Sequence, residues 1–312
     1  MIVCVAANPS IDKLFEIDRL VKGDIHRPIG FEQTAGGKGL NVARAARALG
    51  ADVRAVALMR GHAGRWLAET LAAEGVPGEY VWTHGENRAS LSVADRETGG
   101  LTEFYEHGSE VPAAAWVELM HAIAGTWTPG GWLTISGSLP QGAPDDGYRE
   151  LVAEARAAGV RVALDAEEER LGLALEAHPD VVKVNAAEAG ALLGVPTTRR
   201  DEALTAAQKL RALAGGDGHA GVVTRGADGV VLAAPDGVLY EGMLYVRGRF
   251  PVGSGDAFLA GLVTGLDRGE DWEGALRLAL GAATANAELP GAGRLDPSRA
   301  ERLAAQAVVS IL

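Results

Sequence analysis

Residues 250–258 read Phe250-Pro251-Val252-Gly253-Ser254-Gly255-Asp256-Ala257-Phe258, and Leu259, Ala260 and Leu262 follow. A Gly-x-Gly-Asp step running straight into an apolar segment describes a glycine turn that opens a helix. The first N–H groups of a helix have no intrahelical partner, and the helix dipole adds partial positive charge to them. Glycines at 253 and 255 let a ligand approach that backbone closely, so the stretch reads as an anion hole. Asp256 falls in the first helical turn, where its charge is favoured and where it faces whatever the N–H groups hold. A carboxylate beside an anion hole suits phosphoryl transfer, because it can take the proton of an attacking hydroxyl while the backbone stabilises the transferring phosphate. Taken alone, the stretch also describes an ordinary helix start with an acidic cap residue. The rest of the chain bears on the choice.

The 312 residues are 47% hydrophobic and 22% charged, as in a globular protein with a sizeable core. Forty-two glycines are about twice the usual share, which points to many tight turns. The one cysteine, Cys4, lies in an apolar run and reads as a buried strand residue; no intrachain disulfide is possible, and a reducing, cytoplasmic setting fits. No apolar run is long enough for a membrane span, and no cleavable leader is visible. A net charge of −12 argues against a nucleic-acid partner, so an anionic ligand must be met by local positive charge.

Upstream, Met1–Ala7 is a short continuous apolar run of the kind found in a strand buried on both faces. It stops at Asn8-Pro9-Ser10-Ile11-Asp12, where Asp12 is either a group that binds hydroxyls at a strand end or a turn residue. Two insertions, about 13–34 and 86–108, look strand-like and interrupt an otherwise alternating β/α pattern; the second carries hairpin chemistry at Glu97-Thr98-Gly99-Gly100. They are expected to form one small sheet beside the body, able to act as a lid. Between them Gly36-Gly37-Lys38-Gly39-Leu40-Asn41 makes a second glycine turn before a helix at 40–49, and it fits neither a Walker A loop nor a dinucleotide fingerprint. Strands are expected at 52–58, 79–83, 131–136, 160–164, 180–184 and 221–224, and helices at 63–74, 112–124, 145–158 and 170–177. A hairpin follows at 228–247, with helices at 271–287 and 296–311. Five strands end in polar or glycine-rich residues, which places those residues along one edge of a parallel sheet. Asn185 and Glu188, three apart at a helix start, are either oxygen donors for Mg²⁺ or a capping box. The seven histidines show no zinc spacing.

Taken together, Asn8-Pro9-Ser10-Ile11-Asp12, Gly36–Asn41, Ser136-Gly137-Ser138-Leu139-Pro140, Lys183-Val184-Asn185-x-x-Glu188, Thr224-Arg225-Gly226-x-x-Gly229 and Gly253-Ser254-Gly255-Asp256 resemble the ribokinase-like, PfkB-type sugar kinases over nearly the whole chain. Asn8–Asp12, Gly23–Arg27 and Ser136–Pro140 are most similar to the branch of 1-phosphofructokinases and tagatose-6-phosphate kinases. The resemblance implies an α/β fold: a doubly wound, mainly parallel sheet with helices on both faces, one unit over 1–312, with a small β-sheet lid. It implies ATP and Mg²⁺ as cofactors and a sugar or sugar phosphate as the small-molecule partner; separately, the exposed strands of the lid invite pairing of two subunits into a homodimer. By the same likeness Asp256 is the catalytic base, and Gly253, Ser254 and Gly255 form the anion hole. Asp12, Gly37 and Asn41 would bind sugar hydroxyls, and Arg27, Lys38, Arg88 and Ser138 a phosphate already on the substrate. Lys183, Asn185, Thr224, Gly226, Gly229, Ala283 and Asn286 would line the nucleotide site, with Glu188 and Asn185 organising Mg²⁺ through water.

Some positions depart from the family pattern. Ser254 replaces the usual Ala, and Pro251 stands where Thr is common. The lid pattern Thr-Arg-x-Asn-x-Lys appears as Asn87-Arg88-Ala89-Ser90-Leu91-Ser92, and the small pair after Asp165 is Glu167-Glu168. The reading that follows is ATP-dependent phosphorylation of a ketose phosphate, fructose 1-phosphate or tagatose 6-phosphate. Phosphorylation of an unphosphorylated sugar or nucleoside is the alternative, and a non-catalytic sugar-phosphate sensor stands in a different class.

Overall fold

The computed structural model describes residues 1–166 and 168–312, with the backbone alone at Glu168 and Glu169, so the side chains of the Glu167-Glu168 pair lie outside the described residues. The chain opens with β1 (Ile2–Ala6), then β2 (Ser10–Ile17) and β3 (Gly30–Gly36), which leave the body and return to it. Then α1 (Lys38–Ala48), β4 (Val53–Arg60), α2 (Gly61–Ala73) and β5 (Gly78–Thr83) alternate, before a second excursion through β6 (Arg88–Asp95) and β7 (Leu101–Tyr105). Alternation resumes with α3 (Ala113–Gly125), β8 (Trp132–Ser136), α4 (Gly147–Ala157), β9 (Arg161–Asp165), α5 (Glu168–Leu175), β10 (Val181–Asn185), α6 (Ala186–Leu193), α7 (Arg200–Leu213) and β11 (Ala220–Thr224). The C-terminal part is β12 (Val230–Ala233), β13 (Leu239–Met243), α8 (Ser254–Asp267), α9 (Trp272–Ala287), α10 (Pro297–Ala304) and β14 (Val308–Ile311).

Ten strands form one sheet in the order β14-β13-β12-β11-β10-β9-β8-β1-β4-β5. Those from β11 to β5 are parallel, whereas β12, β13 and β14 run antiparallel at one edge. Side chains of a strand alternate between faces, and β1 shows the result: Ile2, Cys4 and Ala6 enter the core under α1, α2 and α8–α10, while Val3 and Val5 enter the core under α3–α7. The sheet is therefore doubly wound. Cys4 is fully buried, and burial pushes its thiol up to about 12, with neighbouring Thr134 opposing the rise.

Both insertions pair in a separate sheet of order β3-β2-β6-β7. β2 begins at Ser10, so Asp12 is a strand residue of that sheet and not part of a turn. The expected helix over 296–311 ends at Ala304, and Val308–Ile311 instead pairs antiparallel with β13. The β-branched residues Val308, Val309 and Ile311 pack better on a pleated edge than on a helix, and the open edge of β13 offers them a ladder.

Candidate active site

At β1 the chain's connections diverge to β4 on one side and β8 on the other, and in open α/β sheets this switch point is where a crevice forms outside the strand ends. A cleft of about 1020 Å³ lies there, between the sheet edge and the small sheet. All of the residues singled out from the sequence line it except Arg27 and Asn286.

The turn before α8 is held in the shape its sequence requires. Gly253 has φ of 79°, and a Cβ there would lie 2.6 Å from the Cβ of Ala292, so both conformation and space exclude a side chain. Asn286 closes the turn from beneath. Fully buried, it donates from Nδ2 to the Val252 carbonyl at 2.9 Å and to Ser254 Oγ at 3.3 Å, and its Oδ1 accepts from Gly293 N at 2.7 Å. Its expected place in a nucleotide pocket is thus corrected: all three polar bonds go to the protein. Ala283, one turn earlier on α9, does reach the cleft, where Leu280, Leu244 and Val246 accompany it as an apolar end.

Asp256 follows in the first turn of α8 and is 6% exposed. Burial pushes its carboxyl up to about 7, with Asp165 adding to the rise and Lys38, Asn41 and Lys183 opposing it. Asn41, expected to meet sugar hydroxyls, lines the cleft, and its Nδ2 donates to Asp256 Oδ2 at 2.8 Å. A carboxyl titrating near neutrality beside helix N–H groups can accept a proton at the point where negative charge is stabilised.

Beneath this turn two lysines meet one buried acid. Lys183 donates to Asp165 Oδ2 at 2.5 Å, and its Nζ lies so near Gly255 that a Cβ there would sit 3.0 Å away. Lys38, first residue of α1, has Nζ 3.5 Å from Asp165 Oδ1 and 3.7 Å from Glu188 Oε1. Burial alone would raise the Asp165 carboxyl, but the two ammoniums outweigh it and hold the group below the usual range. Asp165 escaped the sequence reading as a site residue; its one signal was an acid closing a buried strand.

Asn185 and Glu188 make the capping box: Asn185 Oδ1 accepts from Glu188 N at 2.9 Å, and Glu188 Oε2 accepts from Asn185 N at 2.7 Å. Among the described residues no three His, Cys, Asp or Glu side chains cluster as a metal cage. Beyond them, Thr224 ends β11 with Oγ1 3.4 Å from the Val184 carbonyl, and Gly226 and Gly229 bound the short turn after it.

On the opposite wall, Asp12 is fixed by four groups. Ser10 donates to Oδ1 at 2.5 Å, Ser90 donates to the same oxygen, Gly37 N donates to Oδ2 at 3.3 Å, and the carboxylate fills the space a Cβ on Gly36 would need. Ser90, one of the altered lid positions, therefore orients Asp12, while Ser92 donates to Glu103 at 3.1 Å and stays out of the cleft lining. Arg88 and Ser138 meet at Asn8, whose carbonyl accepts from Arg88 Nε at 3.3 Å and whose amide donates to Ser138 Oγ at 3.2 Å. Arg27 does not join them. It lies exposed in the 18–29 connection, and the β2–β3 ladder carries that connection away from the Ser10–Gly36 end by six residues, about 20 Å.

A family model for pfkB family carbohydrate kinases matches residues 5–299. Proteins called 1-phosphofructokinase from Xanthomonas campestris and Rhodobacter capsulatus are 32% and 33% identical, covering 98% and 89% of this chain and 97% and 87% of their own. Among solved structures, phosphofructokinase-2 of Escherichia coli in complex with potassium superposes with a TM-score of 0.89 at 25% identity over 98% of each chain. A ribokinase of Arabidopsis thaliana complexed with ribose and ATP shares the fold, with a TM-score of 0.75 at 21% identity over 97% of this chain and 98% of that one. This chain belongs to the pfkB family of carbohydrate kinases, phosphotransferases whose acceptor is an alcohol.

Proposed function

We propose that the protein transfers the γ-phosphate of ATP, the donor used by carbohydrate kinases of this family, to the free primary hydroxyl of fructose 1-phosphate. The observation that carries the mechanism is Asp256, a buried carboxyl shifted to about 7 in the first turn of a helix whose opening residues line the cleft. In this reading Asp256 takes the proton of the acceptor hydroxyl. The N–H groups of Gly255 and Asp256 hold the transferring phosphate, since Ser254 N already donates to the Pro251 carbonyl at 3.1 Å, and Lys183 and Lys38 add positive charge beside them. Asp12 and Gly37 bind the sugar from the facing wall. Arg88 and Ser138, joined through Asn8, take the phosphate already on the sugar.

Thr224, Gly226, Gly229 and Ala283 would accommodate the nucleotide. Glu188 fits Mg²⁺ carried on its phosphates: Oε2 is used in the capping box, while among the described residues Oε1 faces Lys38 at 3.7 Å, and a magnesium ion needs one or two protein oxygens when phosphates and water supply the rest. That ion would neutralise charge on the phosphate oxygens. The small sheet acts as a lid. Its exposed Phe31, Phe104 and Tyr105, each more than half accessible, are apolar area suited to a second copy of the chain.

The names of both curated relatives support fructose 1-phosphate over tagatose 6-phosphate. The test is an ADP-release screen over fructose 1-phosphate, tagatose 6-phosphate, fructose 6-phosphate, free hexoses and nucleosides. Fructose 1-phosphate should give the highest kcat/KM. A free sugar or nucleoside at the top would overturn the assignment, and no turnover with any acceptor would favour a sensor.

A further inference from the structure

Arg44 lies on α1 one turn after Asn41 and is 5% exposed. Its guanidinium is divided among four groups, two of them, Glu74 and Ala292, remote in sequence. Nε donates to Glu74 Oε2 at 2.7 Å, Nη1 to Asn41 Oδ1 at 3.3 Å and to the Ala292 carbonyl at 3.0 Å, and Nη2 to the Ala35 carbonyl.

The Asn41 contact fixes a direction. A carboxamide has one accepting end and one donating end, and a guanidinium can only donate. The end that meets Arg44 must therefore be Oδ1, which leaves Nδ2 facing Asp256 at 2.8 Å. Turned over, the amide would set an oxygen against the carboxylate, an arrangement satisfied only when Asp256 is protonated. A donor favours the ionised carboxylate, and an acceptor favours the acid.

The Ala292 contact acts on the anion-binding turn. Ala292 is the residue packed against Gly253, and its neighbour Gly293 donates to Asn286, which in turn holds Val252 and Ser254. One buried cation thus touches both halves of the chemistry.

We propose that Arg44 is a positioning residue for phosphoryl transfer: it holds the Asn41 amide with its amino end toward Asp256 and so keeps that carboxylate able to accept a proton beside the anion-binding turn. The proposal rests on Asp256 being the proton acceptor. Lys38, Lys183 and Asp165 also face Asp256, and Glu74, Arg294 and Asp12 face Arg44; all six are left unaltered in the test.

Arg44→Lys keeps a buried cation beside Glu74 but loses the fork that reaches Asn41, Ala292 and Ala35 together. Single-turnover transfer from Mg·ATP to fructose 1-phosphate is measured from about pH 5.5 to about pH 9.5, where an acid near 7 titrates. Loss of one charge-assisted hydrogen bond should move the acidic limb up by roughly one unit, so the rate falls about ninefold at pH 6 and stays near wild type at pH 9. Both KM values should hold within about threefold. A loss of equal size at every pH, or one confined to KM, overturns the proposal. Asn41→Leu removes the amide while Arg44 stays, and it must show the same limb shift; an unmoved limb there overturns the proposal whether or not the arginine variant folds. Asp256→Asn is run alongside. Retained turnover in that variant sinks the proton-acceptor assignment itself, whereas an unmoved limb with Asp256→Asn inactive sinks only the role of Arg44.

Discussion

Replacing Asp256 with asparagine should cost turnover and at the same time stabilise the protein at neutral and alkaline pH. The carboxyl is buried and lifted from 3.8 to about 7, so the folded chain binds that proton more tightly than the unfolded chain does. The stability this group confers is therefore complete below about pH 4 and is lost as pH rises through about 7. A difference of about three units is worth on the order of 4 kcal/mol at pH 8. Asparagine has nearly the same shape, carries no charge to desolvate, and can present its oxygen to Asn41 Nδ2. The variant should exceed wild type in urea-unfolding free energy by up to that amount at pH 8 and match it near pH 4. Meanwhile kcat should fall by about 10²- to 10⁴-fold, the contribution of a positioned base, with KM for sugar and ATP changed less than about threefold. ADP release gives the first quantity, and denaturation followed by fluorescence at two pH values gives the second. Turnover within about tenfold of wild type would refute the base assignment. A stability gain of equal size at pH 4 and pH 8 would refute the electrostatic account of the site.

The wild-type enzyme should gain rate about tenfold per pH unit below 7 and level off above it, because only ionised Asp256 accepts the proton; a flat single-turnover profile across pH 6 to 8 would count against this. Gly253→Ala should lower stability by roughly 2 to 5 kcal/mol and turnover by more than about tenfold, since the added methyl meets Ala292 at a backbone angle alanine avoids; a wild-type melting temperature and rate would contradict it. Arg88→Ala should raise KM for fructose 1-phosphate about thirtyfold or more and leave KM for ATP alone, as expected for losing about 2 kcal/mol of charge-assisted binding. An unchanged sugar KM would favour an unphosphorylated acceptor.

What could be read from the sequence was what has a local signature. Continuous apolar runs marked the buried strands, glycines before alanine-rich segments marked helix starts, and polar residues after strands marked the cleft. Contacts across the chain have no such mark. Asn41 and Asp256 are 215 positions apart, and Arg44 and Ala292 are 248 apart, so neither the amide's contact with the carboxylate nor the buried guanidinium could be seen as periodicity or spacing. The family resemblance alone put Asn286 in the nucleotide pocket, and its side chain turns inward to clamp the glycine turn. Arg27 shares a loop with suitable chemistry, but the ladder leads that loop away from the site. At Asn185 and Glu188 the two open readings use different atoms of one capping box, which spacing alone could not separate. Residues 308–311 carry no local signature that ends the helix expected over 296–311; the open edge of β13 supplies the ladder that makes them a strand.

Cys4 lies mid-strand between Ala55 of β4 and Thr134 of β8, with no accessible surface and a thiol that stays protonated at physiological pH. A sulfhydryl reagent can reach it only when those central strands part. With one such group in the whole chain, the labelling rate of the native protein is a clock for that opening, and slower labelling on adding a ligand would measure directly how firmly the ligand ties the molecule shut.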